Sequence, residues 1–347
     1  MDGIVMPRNV KGDTKFADYW RSIRTQLDQE LMRWVSEFSR DFSTEPPEPM
    51  RQALEDGKRV RGCLTCLISQ ALGGGITAAI PRAVAIECIQ AACLIHDDYV
   101  DQDTTRRNRR ATWTMEGPRK AVLLGDIIFA TAIQKMFELS RADGIVIAQT
   151  IATIAKGAYQ EPLNPEDFAT AIANKSYQPE TYNQIIHLKT GTLFGAAAKL
   201  GAIAAGASLG TAAHAFEFGA RLGEAYQIMD DLHDIFELEQ QRNSPQVKIT
   251  SIVPALLYFL PVDGHDLVRL LKKQEARAGW IEEALPNLKR RMRDEISVRL
   301  NRAANEIEDF PDNSYTRLLR TAPAEIVHMM EVQPVAIPAA PNIISGR

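Results

Sequence analysis

The chain has 347 residues, of which 45% are hydrophobic and 24% charged, with a formal net charge of -4 at pH 7. That is enough to bury one large core or two modest ones, and the acidic balance argues against a nucleic-acid partner. No early segment joins basic residues, an apolar stretch and a small-residue cleavage site, and no uninterrupted apolar run reaches bilayer-spanning length, so a cytoplasmic protein without an integral membrane segment is expected.

Strand signals are scarce, and apolar residues recur at helical intervals among Ala, Leu, Ile, Glu, Lys and Arg, which predicts an all-α fold. Residues 1–15 are expected to form a flexible N-terminus. A first amphipathic helix is predicted from Phe16 to Phe42, stopping before Pro46-Pro47, and a second from near Pro49 to Ala71, ended by Gly73-Gly74-Gly75. From Ala79 to Val100 the only charges before the acidic end are Arg82 and Glu87, so this should be a central helix buried all round. Further apolar helices are predicted over Lys120–Glu138, Gly144–Tyr159, Thr181–Ala205 and Thr211–Phe236. Ser251 to Glu331 is more charged and should form outer helices, punctuated by Pro261, Gly264, Pro286 and Pro311. No repeat or linker divides residues 16–331, which read as one helical domain, and residues 332–347, with Pro334, Pro338 and Pro341, read as a disordered tail.

The cysteines Cys63, Cys66, Cys88 and Cys93 lie in apolar helical context. Cys63-Leu64-Thr65-Cys66 has the C-x-x-C spacing of zinc or redox sites, but no second ligand pair accompanies it, so buried packing thiols are expected.

Two acidic clusters, Asp97-Asp98-Tyr99-Val100-Asp101 and Asp230-Asp231-Leu232-His233-Asp234, repeat one Asp-Asp-x-x-Asp pattern inside apolar helical sequence. At about 3.6 residues per turn the first and last Asp of each stack on one face, where like charges repel. A single such cluster would read as a solvated face or a helix cap. Two copies at the ends of two apolar helices suggest carboxylates facing across a shared cavity and holding Mg²⁺, which takes one or two carboxylates and completes its octahedron with water and phosphate oxygens. Basic residues accompany them: Lys58, Arg59 and Arg61 before the first cluster, Arg106, Arg107, Arg109 and Arg110 after it, then Lys189 with Thr190, and Lys248 after the second. Arginines suited to bidentate phosphate contacts beside metal-binding carboxylates describe a polyanion site, most economically for two diphosphates.

In order and spacing, Gly57-Lys58-Arg59-Val60-Arg61, Leu94-Ile95-His96-Asp97-Asp98 through Asp101, Arg106-Arg107, Leu124-Gly125-Asp126, Lys189-Thr190 and Tyr226-Gln227-Ile228-Met229-Asp230-Asp231-Leu232-His233-Asp234 resemble the trans-isoprenyl diphosphate synthase (polyprenyl synthetase) family over roughly residues 30 to 330. The resemblance implies the isoprenoid synthase fold, a helical bundle around a deep central cavity, usually homodimeric. It implies Mg²⁺ held directly by Asp97, Asp101 and Asp230, with Asp98, Asp231 and Asp234 acting through water or as supporting partners. Arg106 would grip the allylic diphosphate, supported by Lys189, Thr190 and Gln227, while Lys58, Arg61 and Arg107 would bind isopentenyl diphosphate. Tyr99, Phe194 and Tyr226 are candidates to exclude water beside the cationic carbon, though such aromatics are more often plain core. Cys93 lies one helical turn before Asp97 and Ala92 adjoins it; both are small, so a product of geranylgeranyl length or longer is expected, with Ile89 one turn deeper as the next stop. Phe129 on another helix is the alternative floor.

Several positions depart from the family's pattern. Gln90 stands where a histidine usually meets isopentenyl diphosphate, and Gly62 replaces a proline. Asn108, Arg110 and Trp113 replace the Gly, Pro and His of Arg-Arg-Gly-x-Pro-Ala-x-His, and the loop beyond Asp234 is short, with only Lys248, Thr250 and Pro254 matching its end. Uncharged Gln90 implies weaker binding of isopentenyl diphosphate. Two other readings follow from this: ionisation of an allylic diphosphate with another acceptor or intramolecular cyclisation, and a non-catalytic subunit of a heteromeric synthase. The absence of an Asn/Ser/Glu triad in the second cluster disfavours a cyclase, and the retention of every aspartate disfavours a degenerate subunit.

Overall fold

The elements run α1 (Phe16–Phe38), α2 (Glu48–Leu54), α3 (Val60–Ala71), α4 (Ile76–Val100), a hairpin of β1 (Thr105–Arg106) and β2 (Arg109–Arg110), α5 (Thr112–Glu116), α6 (Pro118–Leu139), α7 (Arg141–Gln160), α8 (Pro165–Ala173) and α9 (Pro179–Ile186). A π-helical turn, His187–Gly191, then leads to α10 (Thr192–Ala204), α11 (Leu209–Gln240), α12 (Ile249–Phe259), α13 (Gly264–Lys273), α14 (Gly279–Glu306) and α15 (Ser314–Glu331). This computed structural model describes residues 15–38, 48–55, 57–107, 109–162, 164–240, 249–273 and 279–331. Lys248, Asn108 and the two termini expected to be flexible, Lys15 apart, lie outside the described residues.

α10 is the hub, packing against α3, α4, α7 and α11. Its sequence, TLFGAAAKLGAIA, explains why so many helices can reach it, because small side chains let backbones approach closely. A β-carbon added at Gly201 would stand 2.4 Å from the Thr65 carbonyl oxygen on α3. Around this hub, α11 packs on α14 and α4 on α6. Phe194, Phe218, Leu64, Leu67, Ile86 and Ile89 are fully buried, so the helices share one core.

Polar ties fix the helices' relative placement. Arg82 on α4 grips the buried Asp143 of α7 through two 2.7 Å hydrogen bonds. Arg59 is buried in the turn before α3, pairs with Asp28 of α1 at 2.7 Å and lies 3.8 Å from Glu87 of α4. Of the basic string 58–61, Arg59 is thus structural. Glu87 also accepts a 2.8 Å hydrogen bond from the Gly62 backbone N–H, a donor that a proline at that position would lack.

The structure departs from expectation at identifiable places. The helix predicted from Pro49 to Ala71 is divided, because Arg59 takes a left-handed backbone (φ 54°) ahead of Val60. α8 is additional: Asn164 caps it by accepting from Asp167 N–H at 2.9 Å, and Pro165 occupies its first turn. The predicted helix 181–205 is interrupted by the π-helical turn. Pro286 does not end a helix but sits on the exposed side of α14. By length and composition α4 would cross a bilayer, contrary to the count of uninterrupted apolar runs, yet it lies packed among its neighbours. The thiols of Cys63, Cys66, Cys88 and Cys93 are free, and burial pushes those of Cys66, Cys88 and Cys93 up to about 12.

Candidate active site

The first acidic cluster forms the last turn of α4, with Asp101 as its C-cap. Carboxylates are unfavourable at this end of a helix, where the carbonyl dipoles are negative, and burial adds to the penalty. Burial pushes the Asp97 carboxyl up to about 6, reinforced by Asp101 and Glu161 and opposed by Lys189 and Arg106. Asp98 is turned inward, 3% exposed, and meets Arg106 from the hairpin, whose Nε and Nη2 lie 2.7 and 2.5 Å from its Oδ1. Burial alone would lower the Arg106 pKa, but the Asp98 carboxylate outweighs it and raises it.

The hairpin that carries Arg106 turns at Arg107, which has φ 51° and donates to the Glu55 carbonyl at 2.9 Å. Arg109 lies 3.6 Å from the Glu55 carboxylate. The hairpin thereby gathers four arginines, Arg106, Arg107, Arg109 and Arg110, just beyond the end of α4. A small cavity of about 40 Å³ opens beside them, lined by Gln52, Asp98, Arg106, Arg109 and Met115. Neither Asp97 nor Asp230 lines it.

The second cluster is not at a helix end, since α11 continues beyond it to Gln240. Burial raises the pKa of Asp230, against the influence of Lys58, His233, Arg61 and Arg106. Arg106 lies within electrostatic reach of both Asp97 and Asp230. Asp231 is committed to protein partners: Tyr182 donates to Oδ2 at 2.6 Å and Gln227 to Oδ1 at 2.9 Å. Burial nonetheless pushes its carboxyl up to about 7. Asp234 is exposed. Among the described residues, no three acidic, His or Cys side chains converge to hold one ion.

The π-helical turn presents Lys189 and Thr190. One extra residue in the turn shifts the side chains that follow, a device frequent at functional sites. Lys189 pairs with Glu161 at the end of α7, and Glu161, Asp97 and Asp101 together overcome burial to raise the Lys189 pKa. Thr190 donates to Gln227 Oε1 at 2.7 Å, which leaves the Gln227 amide to donate to Asp231.

Lys58, whose pKa burial lowers, lies within the influence of Asp230. Arg61 stacks 4.4 Å above the Phe194 ring and 5.8 Å from Tyr226, and these two rings are 5.2 Å apart. Its Nε is buried without a hydrogen-bond partner, and burial lowers its pKa. Tyr99 instead packs on Trp113, 6.0 Å away. Gln90 and Cys93 are half-buried on α4, whereas Ala92 and Ile89 are fully enclosed. Cys93 lies within the electrostatic reach of Asp97, Arg61 and Lys189. Phe129 packs edge-on against His96 at 5.5 Å. Glu161 and Tyr182 were not singled out by the sequence: neither belongs to a motif, and only the fold brings them to Lys189 and Asp231.

Residues 45–255, more than half of the chain, match the family model for polyprenyl synthetase. A geranylgeranyl diphosphate synthase of Methanosarcina mazei is 30% identical over 190 residues, covering 53% of this chain and 56% of that protein. The chain thus matches little more than half the length of that relative. The solved decaprenyl diphosphate synthase of Rhodobacter capsulatus aligns with TM-score 0.73 and 25% identity over 90% of this chain and 99% of that one. The geranylgeranyl pyrophosphate synthase of Corynebacterium glutamicum, complexed with calcium and isoprenyl diphosphate, aligns with TM-score 0.68 and 25% identity over 92% and 98%.

Proposed function

This chain belongs to the polyprenyl synthetase family, and from that premise we propose that it condenses an allylic diphosphate with isopentenyl diphosphate, lengthening the prenyl chain by one trans five-carbon unit. The reading is supported by the family match together with Arg106, which is bound to Asp98 of the first cluster and lies within electrostatic reach of Asp230 in the second.

The donor set fits a hard divalent cation. Carboxylates are oxygen donors suited to Mg²⁺, and burial leaves Asp97 and Asp230 under-solvated until a cation reaches them. Such an ion takes one or two protein carboxylates and finds its other ligands in water and phosphate. Asp97, Asp101 and Asp230 would hold magnesium, which when bound neutralises charge on the departing diphosphate.

The protein's own groups do the rest. Arg106 and Lys189 exchange part of their carboxylate contacts for diphosphate oxygens and stabilise the charge that develops there as the allylic C–O bond ionises. Thr190 and Gln227 orient that diphosphate. Lys58, Arg61 and Arg107 hold isopentenyl diphosphate, with the unpartnered Nε of Arg61 as a waiting donor. Phe194 and Tyr226 keep water from the cationic carbon. The double bond of isopentenyl diphosphate attacks that carbon, and a proton is then lost, with the released diphosphate as the base.

The small side chain of Cys93, one turn before Asp97, favours a product of geranylgeranyl length or longer, and the enclosed Ile89 would set the limit. The exposed Val122, Leu123 and Phe137 on α6 are the surface for a homodimer, and Leu123→Glu should dissociate it in sedimentation experiments. Uncharged Gln90 favours one second reading, an acceptor other than isopentenyl diphosphate. Incubation with Mg²⁺, isopentenyl diphosphate and each allylic diphosphate from dimethylallyl to geranylgeranyl separates the two. Elongated products support the condensation; diphosphate release without elongation supports the other acceptor.

A further inference from the structure

Behind the π-helical turn lies a network of charged residues that no part of the proposed chemistry uses. Glu224 on α11 is 2% exposed, and Arg299 on α14 is 4% exposed. Arg299 Nη1 pairs with Glu224 Oε2, its Nη2 reaches the Asn183 side-chain oxygen on α9 at 2.5 Å, and its Nε donates to Glu295 Oε1 at 2.9 Å. The other Glu224 oxygen meets His187 Nδ1 at 2.7 Å. With a carboxylate opposite, that ring nitrogen is the donor. Burial would raise the Glu224 pKa, but His187, Arg299 and Arg221 overcome it and hold it low, so the carboxylate stays charged in the interior.

Two buried charges need a reason. Their desolvation cancels much of their attraction, and an apolar pair of the same size commonly serves stability equally well. What a charged network adds is direction. This one holds the entry to the π-helical turn at two points: Asn183 lies on the helix leading into it, and His187 is its first residue. Beyond His187, α11 holds the same turn again through Gln227 and Thr190.

Close packing confines the turn further. A β-carbon at Gly223 of α11 would stand 2.9 Å from the Thr190 carbonyl oxygen, and one at Gly157 of α7 would stand 2.7 Å from Leu188 Cβ and 3.1 Å from Lys189 Cγ. The turn is therefore wedged between two helices and tied at its start by the charged network. A π-helical turn has poorer backbone geometry than an α-helical one and persists where its surroundings impose it. An unimposed segment would relax to α-helix and swing Lys189 and Thr190 around the axis, since each residue turns the direction by about 100°.

We propose that Arg299, acting through Glu224 and His187, is a positioning residue for the allylic subsite: it fixes the π-helical turn and thereby aims Lys189 and Thr190. Arg299 lies on the outer helix α14, beyond residues 45–255, the stretch matched by the family model. The inference rests on the reading that Lys189 and Thr190 meet the allylic diphosphate.

The test compares Arg299→Met, Arg299→Lys, Glu224→Gln and, as a control on the exposed side of α14, Arg290→Met. Steady-state KM for farnesyl diphosphate and for isopentenyl diphosphate is measured with kcat, alongside calorimetric binding of inorganic diphosphate with Mg²⁺ and thermal unfolding. Arg299→Met and Glu224→Gln should raise the allylic KM and weaken diphosphate binding by about tenfold or more, with the isopentenyl KM held within about twofold, as expected of a misplaced contact rather than a lost one. Arg299→Lys should recover part of the loss, since it restores charge but not the planar fork. Arg290→Met should change neither constant. Equal shifts in both KM values that follow the melting temperature, or no shift in a folded Arg299→Met, would overturn the proposal. Should Arg299→Met not fold, His187→Phe, at the half-exposed end of the network, must give the same allylic-specific loss for the proposal to stand. Wild-type protein that neither elongates nor binds diphosphate would overturn the functional reading and this inference with it; wild-type activity with indifferent variants would overturn the positioning role alone.

Discussion

Tyr182 and Asp231 meet through a 2.6 Å hydrogen bond that turns the second aspartate of the α11 cluster toward protein. Its other oxygen is taken by Gln227. Two adjacent aspartates of one motif are therefore placed differently: Asp231 holds the chain of contacts running through Gln227 to Thr190, while Asp230 lies under the influence of Lys58, His233 and Arg61 and is proposed to meet the ligand.

Tyr182→Phe should separate these roles. It leaves a buried carboxylate short of one donor, which costs about 1.5–3 kcal/mol where the acceptor is charged. Urea unfolding should show a loss of that order, while turnover falls far less than in any variant of Asp230. Unchanged stability would mean that Asp231 is not held by Tyr182 in solution.

Asp97→Ala and Asp230→Ala should each abolish turnover, by about a thousandfold or more, because each removes a ligand for the charge that stabilises the leaving diphosphate. Circular dichroism should show unchanged helical content, which separates loss of the site from loss of the fold. Substantial residual activity in either would count against the assignment of the clusters to a metal.

The helices and the site were legible in the sequence to different degrees. α4 and α11 were readable because their apolar residues are continuous and their acidic clusters conspicuous against them, though in α11 the helix runs on past the cluster. The π-helical turn was not, because Thr181 to Ala205 carries helical periodicity throughout and the added residue is imposed by packing against Gly157 and Gly223. The site's basic residues were found by type but not by role: Arg59 and Arg61 are two positions apart, yet one ties α1 to α4 and the other stacks on Phe194. Gly62 looked like a lost proline, and only the structure gives its N–H an acceptor in Glu87. Partners distant in the chain, Glu161 for Lys189 and Arg299 for Glu224, carry no signal in sequence, since any surface helix offers similar charges.

Arg61→Lys is expected to raise KM for isopentenyl diphosphate by about tenfold and to leave the allylic KM nearly unchanged. A lysine keeps the charge but loses both the stacking on Phe194 and the Nε donor, and an arginine-to-lysine change at a stacked site is not conservative. Paired steady-state titrations measure it, and an equal rise in both constants would remove Arg61 from the isopentenyl side.

Cys93→Phe should shorten the product by at least one five-carbon unit. Cys93 is partly exposed one turn before Asp97, while Ala92 and Ile89 are already enclosed, so added bulk at position 93 would enter the space proposed for the tail. Chromatography of the dephosphorylated products gives the length. An unchanged product would place the floor on another helix, with Phe129 the residue to change next.

Ligand binding should release protons below neutral pH. Burial raises Asp97 from 3.8 to about 6 and Asp231 to about 7, and Asp98 and Asp230 shift in the same direction. For an acid whose folded value lies above its unfolded one, the folded state binds more protons between the two, so stability falls as pH rises through that window and levels off above it. The ligand-free protein should therefore lose stability from about pH 4 to about pH 7 on account of these groups, with the lowered Glu224 acting in the opposite sense below its ordinary value. A cation with diphosphate needs the carboxylates charged, so its affinity should climb over the same interval and its binding should displace their protons. Calorimetry of inorganic diphosphate binding with Mg²⁺, run in two buffers of different ionisation heat, should give net proton release near pH 6 and almost none near pH 8. Equal release at both values would show that Asp97 already carries its charge before the ligand arrives.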